Sequence, residues 1–577
     1  MQDKPKNLKL ILLNGIWKHL SKRRRKQLII LPILVSIAGV SEIFSIASVI
    51  PFLNALSGNS ENINLPLIEN LNKLFSGLDL IDPFLLLITT FLVFISLSAI
   101  LRLLTLLCSN YFSAAIGSDF SIKAYRLSLI QPYSVHIKRN SSEIISSIIQ
   151  NSERTVTIID SILQLSVAIV IGVALIASLF LINWSLSFLI VFLFTSLYLI
   201  LGKILKRRIN RISKKKANLT ILQTKALQEG LGSIRDIILD NNQNLYTKIF
   251  SSSDKPLRFI NAKSAFLSSS PRYIFELITI YIIVLITYIY SQYFGITNIV
   301  PLLGSIVLCL QRLLPIFQSG YAAWVSISVN TDSALNLLSL LNQSDNKYLN
   351  KNQSIILEDK IKLINISFSY SHYSKNLFSN FNLEIKKGEI IGIIGPSGSG
   401  KSTIADIIMG LIKPTHGRIE IDGVDLHNNN FFSKEDWFRN ISHVPQDIYL
   451  SDTNIAENIA FGIPPERINK KKLLKAIHSA SLSKLIKDPN DAFNTKVGER
   501  GIQLSGGQRQ RIGIARAIYK GGNILILDEA TSALDIKTEG EIIETIDNLS
   551  SELTIIIITH RPSTLLSCNR VIDLSKI

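Results

Sequence analysis

Cysteine is scarce in this chain of 577 residues, which contains only Cys108, Cys309 and Cys568. These three residues lie far apart in the sequence, an arrangement that fits neither a disulfide framework nor a zinc site. The chain also lacks an internal repeat, a low-complexity tract and any readable nucleic-acid recognition module. Although its formal net charge is +18, we therefore expect no nucleic-acid partner.

Long apolar runs are absent after about residue 330, although apolar residues make up 47% of the chain and its mean hydropathy is +0.31. The earlier part holds six runs of about twenty residues, each long enough to cross a bilayer as a helix. We predict a membrane domain over residues 1–341, a polar linker over 342–353 and a soluble domain over 354–577. The predicted spans lie near residues 28–53, 84–107, 161–182, 184–204, 273–294 and 299–327.

Basic residues cluster at alternate ends of the predicted spans. Residues 22–26 read Lys-Arg-Arg-Arg-Lys, whereas the loop at 54–83 has one lysine against four acidic residues. Because cytosolic flanks carry the excess of positive charge, the N-terminus and the soluble domain are expected in the cytosol. Attraction to anionic headgroups, worth about 1 kcal/mol per basic residue near the surface, explains such clusters. The first apolar run is too long for a signal peptide and has no convincing cleavage site.

A glycine-rich loop connects an apolar strand at 389–394 to an apolar-periodic helix that begins near Ser402. In such a loop the backbone amides surround phosphate groups, and the helix N-terminus adds its positive dipole end. Lys401 is expected to neutralise phosphate charge, and the Ser402 hydroxyl to ligate Mg²⁺. The predicted nucleotide-binding residues of this loop are Gly395, Ser397, Gly398, Ser399, Gly400, Lys401, Ser402 and Thr403.

A second apolar strand, over residues 524–527, ends in two carboxylates. Open parallel sheets bind their ligands at the carboxyl ends of strands, so these side chains are candidates for the same site. Asp528 is expected to support Mg²⁺ through water. Glu529 is suited to polarise the attacking water as a general base or as a residue that positions it.

The stretch Leu504-Ser505-Gly506-Gly507-Gln508, between the phosphate loop and the acidic strand end, resembles the signature motif of the ATP-binding cassette (ABC) family. In that family the signature loop covers the ATP held by a partner cassette, so Ser505, Gly506, Gly507 and Gln508 are implied nucleotide-binding residues. One complete set of motifs makes a homodimer with two competent sites the simplest assembly. Pairing with a degenerate second chain remains an alternative.

The resemblance implies roles for four further residues. Gln446, in Val-Pro-Gln-Asp, would touch Mg²⁺ and take part in catalysis. Asp535 would cross the dimer interface, and His560 would contact the γ-phosphate. Tyr370 would stack on adenine and is favoured over Tyr373.

The resemblance is to exporters rather than importers. The membrane domain precedes the cassette, and Thr495–Glu499 is similar to an exporter loop that contacts coupling helices. The coupling helices would lie near Tyr133–His136 and Gly230–Asp236, within cytosolic excursions at about 108–160 and 205–272. The implied fold is a six-span α-helical transmembrane domain followed by a mixed α/β P-loop ATPase domain with an α-helical signature subdomain.

Charged residues at membrane depth bear on the substrate, because their burial in lipid is costly. Arg102 and Arg272 fall on the inner-leaflet side of their spans, and Arg312 lies nearer the middle. One interpretation is that these guanidinium groups hold an anionic headgroup. The alternative is that they reach the interface or pair with Glu42 and Glu276.

Three segments resemble bacterial lipid-linked oligosaccharide flippases, namely Val35–Phe52, Ser270–Arg272 and Gln311–Pro315. The resemblance implies an amphiphilic, lipid-linked oligosaccharide substrate and a bacterial inner membrane. A multidrug or lipid exporter is the alternative within this class. An ATP-gated channel or a membrane-bound regulator is the alternative from a different class.

Overall fold

The structure is a computed structural model in which the chain divides into two compact units. The first unit comprises Met1–Gln131 and Lys138–Asp345, and the second comprises Pro132–Ile137 and Asn346–Ile577. The predicted outer loop at 54–82 and most of the predicted linker lie outside the described residues, so the exact domain boundaries stay predictions. The residues described are 8–48, 83–182, 184–294, 296–344, 357–370, 376–428, 431–483, 486, 488–531, 539–541, 543–544 and 553–576.

Long helices form the first unit, as the apolar runs predict. A five-residue π-helical segment, Ser147–Asn151, joins two of them. The described helices are α1 (Leu8–His19), α2 (Lys22–Ala47), α3 (Pro83–Leu129), α4 (Tyr133–Lys138), α5 (Ser141–Ser146), α6 (Ser152–Ile182), α7 (Trp184–Gly232), α8 (Ile234–Leu239), α9 (Gln243–Phe294) and α10 (Ile296–Leu341). Most of α4 belongs to the second unit by its contacts.

Four helical segments among the described residues are long and apolar enough to cross a membrane: Lys22–Ala47, Ile88–Leu129, Ser141–Phe180 and Gln243–Leu285. They contain predicted spans one, two, three and five in whole or in large part. The fourth and sixth predicted spans fall within α7 and α10, which are continuous helices. The helical extensions beyond the apolar runs are present as well, since α3, α7 and α9 each exceed forty residues.

The second unit contains two sheets. Its strands are β1 (Lys360–Phe368), β2 (Phe378–Lys386), β3 (Ile390–Ile394), β4 (His416–Ile421), β5 (Val424–Asp425), β6 (Ile441–Val444), β7 (Ile524–Asp528), β8 (Thr554–Ile558) and β9 (Arg570–Asp573). An antiparallel sheet has the order β2-β1-β4-β5, and a parallel sheet has the order β6-β7-β8-β3-β9.

The parallel sheet is buried on both faces, which explains its unbroken apolar strands. Successive side chains of a strand point to opposite faces, so each strand contributes to two cores. Ile390, Leu525 and Ile555 belong to one buried cluster. Their neighbours Ile391 and Ile556 belong to the other, with the antiparallel sheet.

Short helices complete the second unit around these sheets. Pro465–Arg467, Glu499–Gly501 and Leu574–Lys576 form single 3₁₀ turns. The α-helices are α11 (Lys401–Ile408), α12 (Lys434–Asn440), α13 (Ile455–Ile459), α14 (Lys470–Ser479), α15 (Pro489–Asn494), α16 (Gly506–Lys520) and α17 (Pro562–Leu565).

Gly417 lies where β4 meets an irregularity in β1. Its φ of +88° is in the left-handed region, and a Cβ added there would lie 2.5 Å from the carbonyl oxygen of Ile364 and even closer to that of Asn365. Backbone atoms cannot move aside as a flexible side chain can. Gly423, two residues beyond the end of β4, has a φ of +83° but open space around its Cα.

These two glycines allow a matched test of the antiparallel sheet. We expect Gly417→Ala to destabilise the ATPase domain by about 3 kcal/mol, because left-handed strain and a backbone clash add. Gly423→Ala should cost only about 1 kcal/mol, since strain acts alone. Thermal unfolding of the purified full-length protein measures both, and equal melting temperatures for the two variants would contradict the clash.

Candidate active site

Four motifs meet at one edge of the parallel sheet. The glycine-rich loop follows β3, Asp528 and Glu529 stand at the end of β7, Gln446 follows β6, and His560 follows β8. The strands β6, β7, β8 and β3 are neighbours in that order, and all run in the same direction. Their carboxyl ends therefore bring motifs that are up to 165 residues apart in sequence into one site.

The carboxylate of Glu529 is held from two sides. Gln446 Nε2 donates a hydrogen bond of 2.8 Å to Glu529 Oε2, and His560 Nε2 lies 3.3 Å from Glu529 Oε1. The backbone of Glu529 has a φ of +48°, a conformation that costs a non-glycine residue about 1–3 kcal/mol and clusters at functional sites. Two of the three predicted catalytic side chains, Gln446 and His560, thus each contact the third, Glu529.

The glycine-rich loop has the shape of a phosphate cradle. Gly398 and Gly400 have φ values of +82° and +91°, and Lys401 at the start of α11 is buried. Its Nζ donates to the carbonyl oxygens of Gly395 and Pro396 at 2.9 and 3.0 Å. The buried hydroxyl of Ser399 makes no hydrogen bond among the described residues, so the loop offers donors that a phosphate would accept.

Tyr370 lies beside this loop, as its predicted role requires. Its hydroxyl is 2.9 Å from Thr403 Oγ1, and its ring packs edge-on against Phe368 with centroids 5.0 Å apart. The ring is half-exposed, which leaves a face for an adenine base to stack on. Tyr373 lies outside the described residues.

The predicted Mg²⁺ ligands supply oxygen donors only: the Ser402 hydroxyl, the Gln446 amide and the Asp528 carboxylate. This set fits a hard cation such as Mg²⁺. Burial, together with the nearby Asp528, raises the pKa of Asp406 on α11 to about 6.

The signature motif begins α16. The Ser505 hydroxyl accepts from the Gln508 backbone N–H at 3.2 Å, and the Gln508 side chain accepts from the Ser505 backbone N–H at 2.8 Å. This capping box satisfies two helix-terminal donors. Because Ser505 Oγ acts there as an acceptor, its own proton stays available to donate to a ligand.

Glu539 is a residue of the site that the sequence analysis missed. It is buried and accepts hydrogen bonds from Arg561, Ser563 and Thr564 at 2.6, 3.0 and 2.9 Å. Burial opposes its ionisation, but these three hydrogen bonds and the Arg561 charge outweigh burial and lower the pKa of Glu539. The contacts hold the segment that directly follows His560, and the acidic residue alone gave no sequence signal for them.

Asp535, predicted to cross a dimer interface, lies outside the described residues. The roles of the nucleotide-binding and catalytic residues stay predictions, although the geometry brings most of them to one edge of the sheet.

The three membrane arginines all have carboxylate partners. Arg312 Nη1 donates to Glu42 Oε1 at 2.7 Å and to Ser45 Oγ at 3.0 Å, and Arg102 Nη2 lies 2.5 Å from the same Glu42 oxygen. Arg272 pairs with Glu276 one turn away at 2.7 Å. The pairing alternative from the sequence is therefore confirmed, with the added finding that two arginines share one fully buried glutamate.

The ABC transporter family matches residues 378–532. An ATP-dependent lipid A-core flippase of Cupriavidus metallidurans is 29% identical over 70% of this chain and 68% of that protein. A flippase of the same name from Shewanella denitrificans is 29% identical over 82% of this chain and 78% of that protein. A leukotoxin translocation ATP-binding protein of a Pasteurella haemolytica-like species is 37% identical, but this chain covers only 37% of its length.

The fold comparison extends over nearly the whole chain. A bacterial Atm1-family ABC exporter solved with ATP bound superposes with a TM-score of 0.75, at 20% identity, and covers 95% of this chain and 93% of that one. The membrane helices make this an integral membrane protein, and its ATP-binding domain makes it an ATPase coupled to transport. The family match, the flippase relatives and the exporter fold together support an ABC half-transporter of the exporter type.

Proposed function

We propose that this chain works as a homodimer that flips an anionic amphiphile out of the cytosolic leaflet of a bacterial inner membrane, with a lipid-linked oligosaccharide as its substrate. The observation that carries the substrate class is the shared use of Glu42 by Arg102 and Arg312. Two guanidinium groups with one carboxylate leave one positive charge uncompensated at membrane depth, where charge is costly.

The contacts of Arg102 favour a ligand at this cluster. Its Nε atom is buried and makes no hydrogen bond among the described residues, whereas Nη2 forms the ion pair with Glu42. Ser98 donates to the other Glu42 oxygen, so the glutamate is already fully engaged. A phosphate oxygen of a lipid headgroup would accept a hydrogen bond from the Nε–H group, which guanidinium presents in a fixed fork geometry.

For ATP hydrolysis, we propose that Glu529 takes a proton from the attacking water. Gln446 and His560 fix the direction of its carboxylate, so that it does not have to reorient during the reaction. Lys401 and the amides of the glycine-rich loop would stabilise the charge on the phosphates. Ser505 and Gly507 would act on the nucleotide held by a second copy, because the family completes each site across the dimer.

Ser402, Gln446 and Asp528 would hold Mg²⁺, which would supply charge neutralisation at the phosphates. ATP binding would close the two cassettes, and hydrolysis with phosphate release would reopen them. The helical extensions of α3, α7 and α9 would carry this motion to the membrane helices and produce alternating access.

The relatives favour a second candidate substrate. Two of them are named as lipid A-core flippases, and lipid A-core, like a lipid-linked oligosaccharide, joins apolar chains to an anionic, sugar-bearing headgroup. The arginine cluster suits both, whereas the resemblance of three short segments favours the polyprenyl-linked substrate.

The catalytic assignment predicts that Glu529→Gln lowers steady-state ATP hydrolysis by about 100-fold or more, since a positioned general base contributes about 10²–10⁴-fold. ATP binding should persist and trap the closed dimer, because the amide keeps the shape of the side chain. Glu466→Gln, at an exposed glutamate of the same domain, is the control. Hydrolysis within a few-fold of wild type would rule out Glu529 as the base.

We expect Glu539→Gln to lower kcat about tenfold with little change in KM for ATP, because His560 loses the contacts that hold the segment after it. The lowered pKa means that the ionised form stabilises the folded state. That contribution is complete above the unfolded-state pKa of about 4.3 and is lost as pH falls through the folded-state pKa.

The stability difference between wild type and Glu539→Gln should therefore narrow below about pH 4. Thermal unfolding of both proteins across pH measures it. A constant difference, or a change in KM alone, would contradict a positioning role.

Transport itself is tested in vesicles containing the purified protein, by the ATP-dependent change in outside accessibility of a labelled polyprenyl-diphosphate oligosaccharide. Wild type should move it and Glu529→Gln should not. Arg102→Gln and Arg312→Gln should each lower movement about tenfold while ATP hydrolysis persists, because each removes a charge-assisted contact.

Arg258→Gln, at an exposed arginine outside the predicted spans, is the matched control. Full transport by both Arg102→Gln and Arg312→Gln would contradict a role of these arginines in transport. Failure of the wild type on this substrate but success with lipid A-core would transfer the assignment to the second candidate.

A further inference from the structure

A cavity of about 910 Å³ lies within the first unit, between α6, α7 and α10. Its walls are mostly apolar and include Ile169, Val173 and Phe317. The volume is at the upper end of that of small-molecule sites. None of the arginines of the charge cluster lines it, so it is a separate feature of the membrane domain.

Two unpaired hydroxyl groups face this cavity. Tyr198 on α7 and Tyr321 on α10 both line it, and neither hydroxyl has a hydrogen-bond partner among the described residues, although both oxygen atoms are buried. Only 7% of Tyr321 is exposed. A buried hydroxyl without a partner is unfavourable, so each is expected to find one in a ligand or in water.

Ring packing holds the hydroxyls where they are. Tyr198 stacks on Phe275 with centroids 3.9 Å apart, and its ring lies 5.5 Å from that of Tyr321. Tyr321 also packs against Trp324, another aromatic residue of the wall. The two polar atoms are therefore presented by a rigid apolar frame.

Two lysines give positive charge to the end of the cavity that is predicted to face the cytosol. Lys203 and Lys206 line it one helical turn apart on α7, and neither has an ion pair among the described residues. Asp332 is the one carboxylate among the residues that line the cavity. Together with the two lysines, it gives the lining a formal net charge of +1. The lysines follow Tyr198 by about 7–12 Å along the helix axis, toward the end predicted to face the cytosol.

We propose that this cavity binds the lipid part of an anionic amphiphile drawn from the cytosolic leaflet. The hydrocarbon chain lies along the apolar wall, an oxygen of the linkage to the headgroup bonds the two tyrosine hydroxyls, and the anionic group meets Lys203 and Lys206. This proposal rests on the proposed function. It adds a site for the hydrocarbon chain and states which end of that site binds the anionic group.

The test uses the purified full-length protein in phosphatidylcholine nanodiscs, without nucleotide. The probe is octadecyl phosphate with two bromines on its chain, which quenches tryptophan fluorescence on contact. Trp324 lines the cavity, so a saturable part of the quenching should disappear in Trp324→Phe, whereas quenching of the exposed Trp184 should increase with probe without saturation. The brominated alcohol of the same chain length should bind about tenfold more weakly, and inorganic phosphate should not displace the probe.

The hydroxyl groups give a readout that a structural role would not produce. Tyr198→Phe with Tyr321→Phe should weaken probe binding about tenfold. The melting temperature without probe should stay the same or rise, because the variant no longer buries two unpaired hydroxyls. Tyr281→Phe, at an exposed tyrosine of α9, is the control for hydroxyl loss in the membrane.

The lysines are tested by Lys203→Gln with Lys206→Gln. We expect this variant to bind octadecyl phosphate about tenfold more weakly and the alcohol as before, since only the charge contact is lost. Lys214→Gln with Lys215→Gln, exposed on the same helix, should bind both probes normally.

Unchanged probe binding in the tyrosine and lysine variants would overturn the inference. Saturable quenching of undiminished size in Trp324→Phe would also overturn it. A lower melting temperature of the tyrosine variant with unchanged binding would show that the hydroxyls are structural. Because the assay uses no ATP, it separates the two proposals. Binding without transport would refute the flippase alone, and transport unaffected by the cavity variants would refute the cavity site alone.

Discussion

Parallel pairing of β6, β7, β8 and β3 is the constraint on which the ATPase site depends. Parallel strands place their carboxyl ends at one edge, and each of these four strands is followed there by a motif residue. The position of Glu529 is then a consequence of hydrogen bonding in the sheet. The two buried cores on either side of the sheet explain why this edge is rigid enough to hold a carboxylate between Gln446 and His560.

The membrane unit depends on a different constraint, because a charged side chain is costly in lipid. Glu42 is completely buried and collects Arg102, Arg312, Ser45 and Ser98 into one cluster. Removing Glu42 would leave Arg102 and Arg312 without their shared carboxylate in a medium of low polarity. The cluster joins α2, α3 and α10, so it stabilises the helix packing as well as any ligand.

The sequence predicted the cassette well because its chemistry is local. A buried strand, a glycine-rich loop and a helix start lie within fifteen residues, and each has its own compositional signal. Pairing of the arginines with Glu42 and Glu276 was one of two alternatives that the sequence left open, but the sharing of Glu42 by Arg102 and Arg312 was not readable. Arg312 and Glu42 are 270 residues apart, and no pattern connects Tyr198 with Tyr321.

Glu539 and the cavity were also not predicted from the sequence, because both depend on burial. Their meaning comes from what surrounds them, such as the three donors around Glu539 or the missing partners of two hydroxyls. A single sequence carries the residue types but not these neighbourhoods. Sites that depend on a motif were therefore predictable, and sites that depend on packing were found only in the structure.

The signature loop has a consequence for assembly. Ser505 and Gln508 cap α16 within one chain. In the proposed homodimer, the loop would therefore have its helical form before the second cassette arrives. Little conformational entropy is left to lose there when two cassettes meet. The speed of each closure would accordingly be governed by the diffusion of whole domains rather than by the folding of a recognition loop.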